Sequence, residues 1–254
     1  MIKRFNRYEL KYIIPIRLAW KLLADFKERM PYDSYCPENG YKLTSLYYDS
    51  TELDFFWNKI EGIKFRRKVR LRIYPASSIE ETTHGMVEIK QCINKTVQKK
   101  RLKLPIDEGH DLCVNGILSE KITDPDDMQV AQEVKYISDS MQLIPTCITA
   151  YNRIALAGDY MDPGLRITFD TNVRYRTHAL HVNQDAKNNL IIPLDWCVLE
   201  VKTNERIPDW VASILTANNC QLGRISKYCS GIARDRARHV MALAMTPPYE
   251  MKGY

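Results

Sequence analysis

The sequence predicts an α+β protein built on a mostly antiparallel sheet or barrel of about eight strands. Three observations predict it. Period-two alternation recurs along the 254 residues, in runs bounded by turn residues. The helical stretches fall between these runs without the regular strand–helix–strand rhythm of a parallel sheet. The strands repeatedly carry cations on one face and apolar side chains on the other, as in a sheet covered on one side only.

In chain order, residues 5–14 form a first strand, with Arg7, Glu9 and Lys11 on one face and Tyr8, Leu10 and Tyr12 on the other. Pro15 stands where a helix can begin, and Ile16, Ala19, Trp20, Leu23, Phe26 and Met30 follow at helical spacing up to Pro31. Residues 32–40 are a loop, 41–48 a strand and 51–59 a short helix, and Gly62 is a turn. Residues 64–74 are the plainest strand: Lys64, Arg66, Lys68, Arg70 and Arg72 share one face, and Phe65, Val69, Leu71 and Ile73 the other, with Arg67 the exception. Residues 75–83 are a polar loop. Residues 85–93 and 96–104 are strands joined at Asn94-Lys95, carrying Glu88 and Lys90, then Lys99, Arg101 and Lys103. Residues 105–120 and 127–141 read as helices. Strands follow at 146–157, bearing Tyr151 and Arg153, and at 165–175, with Arg166, Thr168 and Asp170 on one side. After a polar loop, the strand at 191–203 places Trp196, Val198, Glu200 and Lys202 on one face. Pro208 starts a helix; Ser226-Lys227-Tyr228 precedes a basic helix from about 230 to 243, and residues 244–254 form a loose tail of this single domain.

Five like charges about 7 Å apart in a row repel one another, so water or an anion must compensate them. One such strand alone is ordinarily a solvated surface. Here the pattern recurs at Lys11, Lys90, Lys99, Arg101, Arg153, Arg166 and Lys202, always opposite an apolar face. At least three amphipathic helices can cover those apolar faces. If they pack outside, the charged faces converge on a water-filled bore. Glu9, Glu88, Asp170 and Glu200 are too few to neutralise it, so the surplus asks for a polyanion, and Arg/Lys arrays suit phosphate. A curved sheet with an outward basic groove for nucleic acid is the alternative; the scarcity of aromatics on the charged faces disfavours it.

The net charge of +6 agrees with an anionic partner without requiring one. No run approaches the roughly 18 apolar residues of a membrane span, and no apolar segment follows the first residues as in a signal peptide. The seven scattered cysteines contain no C-x-x-C and read as reduced thiols, consistent with a cytoplasmic location. His178 and His181 read as loop residues, not metal ligands.

Taken together, these motifs resemble the VTC domain, the polyphosphate polymerase domain of the CYTH-like triphosphate tunnel metalloenzyme superfamily, in a stand-alone bacterial form. The resemblance rests on Arg7-Tyr8-Glu9-Leu10-Lys11, Ser45-Leu46-Tyr47-Tyr48-Asp49, the Arg66-x-Lys68-x-Arg70-x-Arg72 strand, Glu88-Ile89-Lys90, Val97-x-Lys99-x-Arg101, Tyr151-x-Arg153, Arg166-Ile167-Thr168-x-Asp170, Leu199-Glu200-Val201-Lys202 and Ser226-Lys227-Tyr228. It implies an eight-stranded antiparallel β tunnel with a basic interior and helices packed outside. It further implies that Glu200 holds Mn²⁺ or Mg²⁺ and that Lys227 belongs to the active site. The implied phosphate ligands are Lys11, Arg66, Lys68, Arg70, Arg72, Lys90, Lys99, Arg101, Arg153, Arg166 and Lys202. On this reading Lys227 and the basic strand clamp the transferring phosphates, while Lys99, Arg101, Arg153 and Arg166 hold the product chain. Glu9 and Glu88 pair with lining cations, and Asp170 orients Arg166 or a neighbour.

Tunnel hydrolases of the superfamily begin with Glu-x-Glu-x-Lys, whereas this chain has Arg7-x-Glu9-x-Lys11. Hydrolysis needs an activated water, but a polyphosphate terminus is already an anionic nucleophile. The expectation is therefore a polyphosphate polymerase-like phosphotransferase using ATP and polyphosphate. An inorganic or nucleotide triphosphatase on the same fold, and a non-catalytic polyphosphate or nucleic-acid binder, are the alternatives.

Overall fold

The computed structural model describes residues 8–75, 78–94, 96–160, 162–204 and 206–245, with side chains through Met241. Arg7, Lys95, the start of the first expected strand and the end of the expected tail lie outside the described residues.

The chain runs β1 (Tyr8–Pro15), α1 (Ile16–Lys27), β2 (Tyr41–Asp49), α2 (Asp54–Ile60), β3 (Phe65–Ile73), β4 (His84–Ile93), β5 (Thr96–Pro105), α3 (Ile106–Asn115), α4 (Pro125–Met141), β6 (Ile144–Ala157), β7 (Arg166–Arg176), β8 (Asn189–Leu190), β9 (Trp196–Thr203), α5 (Asp209–Ala217) and α6 (Lys227–Met245). Eight strands form one antiparallel sheet in the order β1-β9-β7-β6-β2-β3-β4-β5, and two-residue β8 pairs with β7. Among the described residues no backbone pairing joins the ends β1 and β5. The sheet curls until side chains meet across that seam: Lys90 Nζ of β4 lies 3.0 Å from Glu9 Oε2 of β1. The result is the expected tunnel, with its seam bridged by an ion pair instead of a hydrogen-bond ladder.

Local chemistry sets the element ends. Pro15 and Pro208 occupy the N-cap positions of α1 and α5. Asp124 caps α4 by accepting from the backbone N–H of Asp126 (2.9 Å) and Asp127 (3.0 Å), with Pro125 in the first turn. The helix expected over 105–120 stops at Asn115, because Gly116 turns left-handed (φ 62°) and ends it. The strand expected from 191 begins only at Trp196; the Trp196 N–H bonds back to the Pro193 carbonyl in a turn.

Two apolar layers cover the outside. Leu71, Val87 and Leu104 pack under α3 and α4 residues such as Leu112 and Val134. Ile167, Leu199 and Val201 pack under Leu22, Phe26 and Val211 of α1 and α5. A third cluster has no counterpart in the sequence reading. Tyr47, Cys147, Tyr151 and Tyr175 surround Tyr228, Cys229 and Ile232 of α6, with Phe56 of α2. Since Tyr47 and Tyr151 also line the bore, α6 packs on the inner side of the sheet and fills one end of it, unlike the four outer helices.

Candidate active site: a basic tunnel closed by a helix N-terminus

The inner faces of β1, β2, β3, β4, β6 and β9 and the first turn of α6 line a cavity of about 110 Å³. Eight cations line it: Lys11, Lys68, Arg70, Arg72, Lys90, Arg153, Lys202 and Lys227. Glu9 and Glu200 also face it, and Asp170 and Glu88 stand behind its cations. With Lys99, which shares Glu88, nine cations meet four carboxylates and five positive charges are left unbalanced.

Strand register builds this arrangement. Lys11 lies directly opposite Glu200, Glu9 opposite Lys202, Arg70 opposite Glu88, and Arg153 opposite Asp170. Directly opposite residues in an antiparallel pair have neighbouring side chains, so each acid meets a cation. Glu200 Oε2 lies 2.8 Å from Lys202 Nζ and 3.9 Å from Arg153 Nη2; its Oε1 lies 3.2 Å from Lys227 Nζ and 3.8 Å from Lys11 Nζ. Asp170 accepts from Arg153 Nε and Nη2, both at 2.6 Å, and its Oδ2 lies 2.6 Å from Lys227 Nζ. Glu88 accepts from Arg70 Nε (2.6 Å) and pairs with Lys99. Glu9 pairs with Lys90 and, at 3.4 Å, with Lys11.

The electrostatics follow. Burial pushes the Glu9 carboxyl up, but Lys90, Lys11 and Lys202 outweigh it and hold the group at about 2. Burial acts against the Glu200 and Asp170 anions as well, and the cations around each win, so both carboxyls sit below their usual range. Lys227 is desolvated too, yet Asp170 and Glu200 raise its pKa. Lys202 ends lower, at about 8, since burial exceeds what Glu200 returns. Tyr47 is pushed up by burial and pulled down further by Arg70, Arg72 and Lys68, to about 8. Its hydroxyl accepts from Arg70 Nη1 at 3.0 Å.

Lys227 is the first residue of α6, one element later than the sequence reading placed it. Helix N-termini present unpaired N–H groups and positive potential, so this one adds to the anion-attracting field of the bore. Ser226 anchors the turn: its Oγ accepts from Lys68 Nζ (2.7 Å) and from the Cys229 N–H (3.3 Å).

Four sequence-nominated cations lie away from the cavity wall. Arg66 donates to the Ile63 carbonyl and to Cys92 Sγ. Lys99 sits behind Glu88. Arg166 is held by Asp33 Oδ2 (2.8 Å) and Tyr41 Oη (3.3 Å), and Arg101 is exposed on the outermost strand. Asp170 serves Arg153 and Lys227, and not Arg166. Tyr47, Tyr151 and Ser226 line the bore and were not nominated, although all three sit inside the quoted motifs.

Among the described residues, no group of three or more His, Cys, Asp or Glu forms a metal cage. Among the described residues the bore's carboxylate oxygens come only from Glu200 and Glu9, both already surrounded by cations. That donor set fits Mg²⁺ or Mn²⁺ in one form: an ion carried on phosphate, with water and phosphate oxygens completing its shell.

The model of the VTC domain family matches residues 6–234. No protein of curated function matches the chain. Among solved structures, a proposed adenylate cyclase from Bacillus halodurans matches at 9% identity and TM-score 0.49, over 87% of this chain and 95% of that one. The PH1819 protein from Pyrococcus horikoshii matches at 11% identity and TM-score 0.42, over 91% and 99%.

Proposed function

The chain belongs to the VTC domain family, and on that premise we propose that it is a polyphosphate polymerase-like phosphotransferase. It moves the γ-phosphate of ATP onto the end of a polyphosphate chain, giving ADP and a chain one unit longer. The observation that carries this reading is the state of the bore's carboxylates. Glu9, Glu88, Asp170 and Glu200 are each ion-paired and held below the usual carboxyl range. A general base for water works best with a pKa near the working pH, and none of these four has one; Lys202 and Tyr47, which come nearer at about 8, are held by Glu200 and Arg70. Transfer to a phosphate oxygen needs no such base, because the nucleophile arrives ionised.

The derived roles follow from position. Arg70, Arg72 and Lys68 bind non-bridging oxygens of the donor and of the chain end and hold the two in line. In-line attack forms the new P–O–P bond as the bond between the γ-phosphorus and the β–γ bridging oxygen breaks. Lys227 and the α6 N-terminus stabilise charge on the transferring group. Arg153, fixed by Asp170, and Lys202 and Lys11, fixed by Glu200, keep their positive ends on the bore axis before substrate arrives, so little reorganisation is needed. Glu200, with Glu9, would hold Mg²⁺ or Mn²⁺, which when bound supplies further charge neutralisation on phosphate oxygens.

The test is purified protein incubated with ATP and Mn²⁺. The expected product is a phosphate polymer together with ADP, and Glu200→Ala abolishes it. Orthophosphate release from ATP or tripolyphosphate without polymer would replace this reading with a triphosphatase.

A further inference from the structure

A second and larger cavity, about 510 Å³, adjoins the bore at the far ends of β3 and β4. Arg72 lines both spaces. Its guanidinium is fixed between them, with Nε donating to Ser45 Oγ (2.9 Å) and Nη2 to Tyr151 Oη (3.0 Å). The two chambers differ in chemistry. The bore is walled by eight cations, while among the described residues the outer chamber has only Arg72 and Lys103, with Glu81 as a counter-charge, besides His84. The rest of its wall is apolar or neutral polar surface, including Tyr74, Met86, Ser78 and Thr82. Tyr74 is 41% exposed, and its ring is backed by Tyr41 at 6.1 Å between centroids. Met86 is directly opposite Arg72 in the β3–β4 register, so both side chains face the same way. A volume of this size matches small-molecule pockets, and an exposed aromatic with scattered hydrogen-bonding groups suits a flat heteroaromatic base and a sugar, not more phosphate.

Resting on the phosphotransferase reading, we infer that this chamber takes the neutral nucleoside half of the nucleotide. The triphosphate then passes Arg72 into the bore. Ser78, Thr82 and Thr83, ahead of β4, thereby become the part of the chain that distinguishes a nucleotide from bare polyphosphate. Arg72 marks the junction at which recognition changes from stacking to charge.

The test compares calorimetric binding of Mg-ATP and of tripolyphosphate to the wild type, to Met86→Trp, which fills the chamber, and to Tyr74→Ala, which removes its exposed ring. ATP affinity is expected to fall about tenfold or more in Met86→Trp and severalfold in Tyr74→Ala, with tripolyphosphate affinity held within about twofold. Retained tripolyphosphate binding also reports that the variants fold. Equal weakening of both ligands, or ATP binding indifferent to both substitutions, overturns the nucleoside assignment alone. A wild type that binds neither ligand overturns the phosphotransferase reading and this assignment with it.

Discussion

Lys227 Nζ lies 2.6 Å from Asp170 Oδ2, and this contact holds the first turn of α6 against the inner face of β7. A cation at a helix N-terminus opposes the helix dipole, so the carboxylate offsets an otherwise unfavourable placement. Asp170 is fully buried and also serves Arg153. Asp170→Ala leaves two buried cations short of a partner and is expected to destabilise the fold by about 3–5 kcal/mol. Urea unfolding checks it; a loss under about 1 kcal/mol would mean that the cations find other partners.

Lys227→Met tests the other side of the pair. Asp170 keeps Arg153, so the fold survives, but the bore loses the charge nearest the helix end. Polymer synthesis is expected to drop by about 10²–10³-fold in kcat, the usual scale for removing one transition-state donor. Steady-state kinetics on the folded variant decide it, and an unchanged kcat would remove Lys227 from the reacting centre.

Asp49 ties three elements together. It accepts from the backbone N–H groups of Ser50 (2.9 Å), Phe55 (2.8 Å) and Phe56 (3.0 Å), and from Tyr228 Oη (2.5 Å). Asp49→Ala strips the start of α2 of its acceptor and leaves the Tyr228 hydroxyl buried without one. The expected loss is about 3 kcal/mol or more, read from the urea midpoint. Tyr228→Phe removes only one of these bonds and should cost about 1 kcal/mol.

Phosphate binding should weaken as pH rises through about 8. Lys202 and Tyr47 both titrate at about 8. Deprotonation removes a positive charge in the first case and adds a negative one in the second, and both changes disfavour an anion. Binding of tripolyphosphate near pH 8 should therefore take up protons. Calorimetry in buffers of different ionisation enthalpy measures that uptake, and affinity flat from pH 7 to 9 would contradict it.

Glu9 is one of four bore carboxylates through which acid acts. Its carboxyl titrates at about 2 in the fold against 4.5 for the free group, so its ion pairs stabilise the protein fully above about 4.5. That contribution disappears as pH falls from 4.5 toward 2. Glu9→Gln should make this part of the stability–pH curve shallower by its own share, measured by urea unfolding at pH 5 and pH 3.

The tunnel was legible because period two survives into three dimensions. The faces read for Lys11, Lys68 through Arg72, Lys90 and Glu200 are the faces that line the bore. What was not legible depends on register and on distant segments. That Glu200 faces Lys11, or Glu88 faces Arg70, requires knowing which strand lies beside which. Arg101 carries the same pattern as Arg70, yet it stands on the outermost strand and so meets solvent. The family resemblance makes Arg166 a chain-holding cation, but Asp33, far away in sequence, holds it aside. The inward course of α6 rests on Tyr228 reaching Asp49 and stacking on Tyr47 at 5.0 Å. No local periodicity encodes that packing.

The most direct test of a phosphate-binding tunnel is a crystal structure of the protein with tripolyphosphate. The expected result is a linear chain of phosphates inside the bore, its oxygens on Arg70, Arg72, Lys68 and Lys227, with Glu200 beside it. Phosphates bound along the solvent-exposed edge near Arg101, with the bore closed to them, would contradict it.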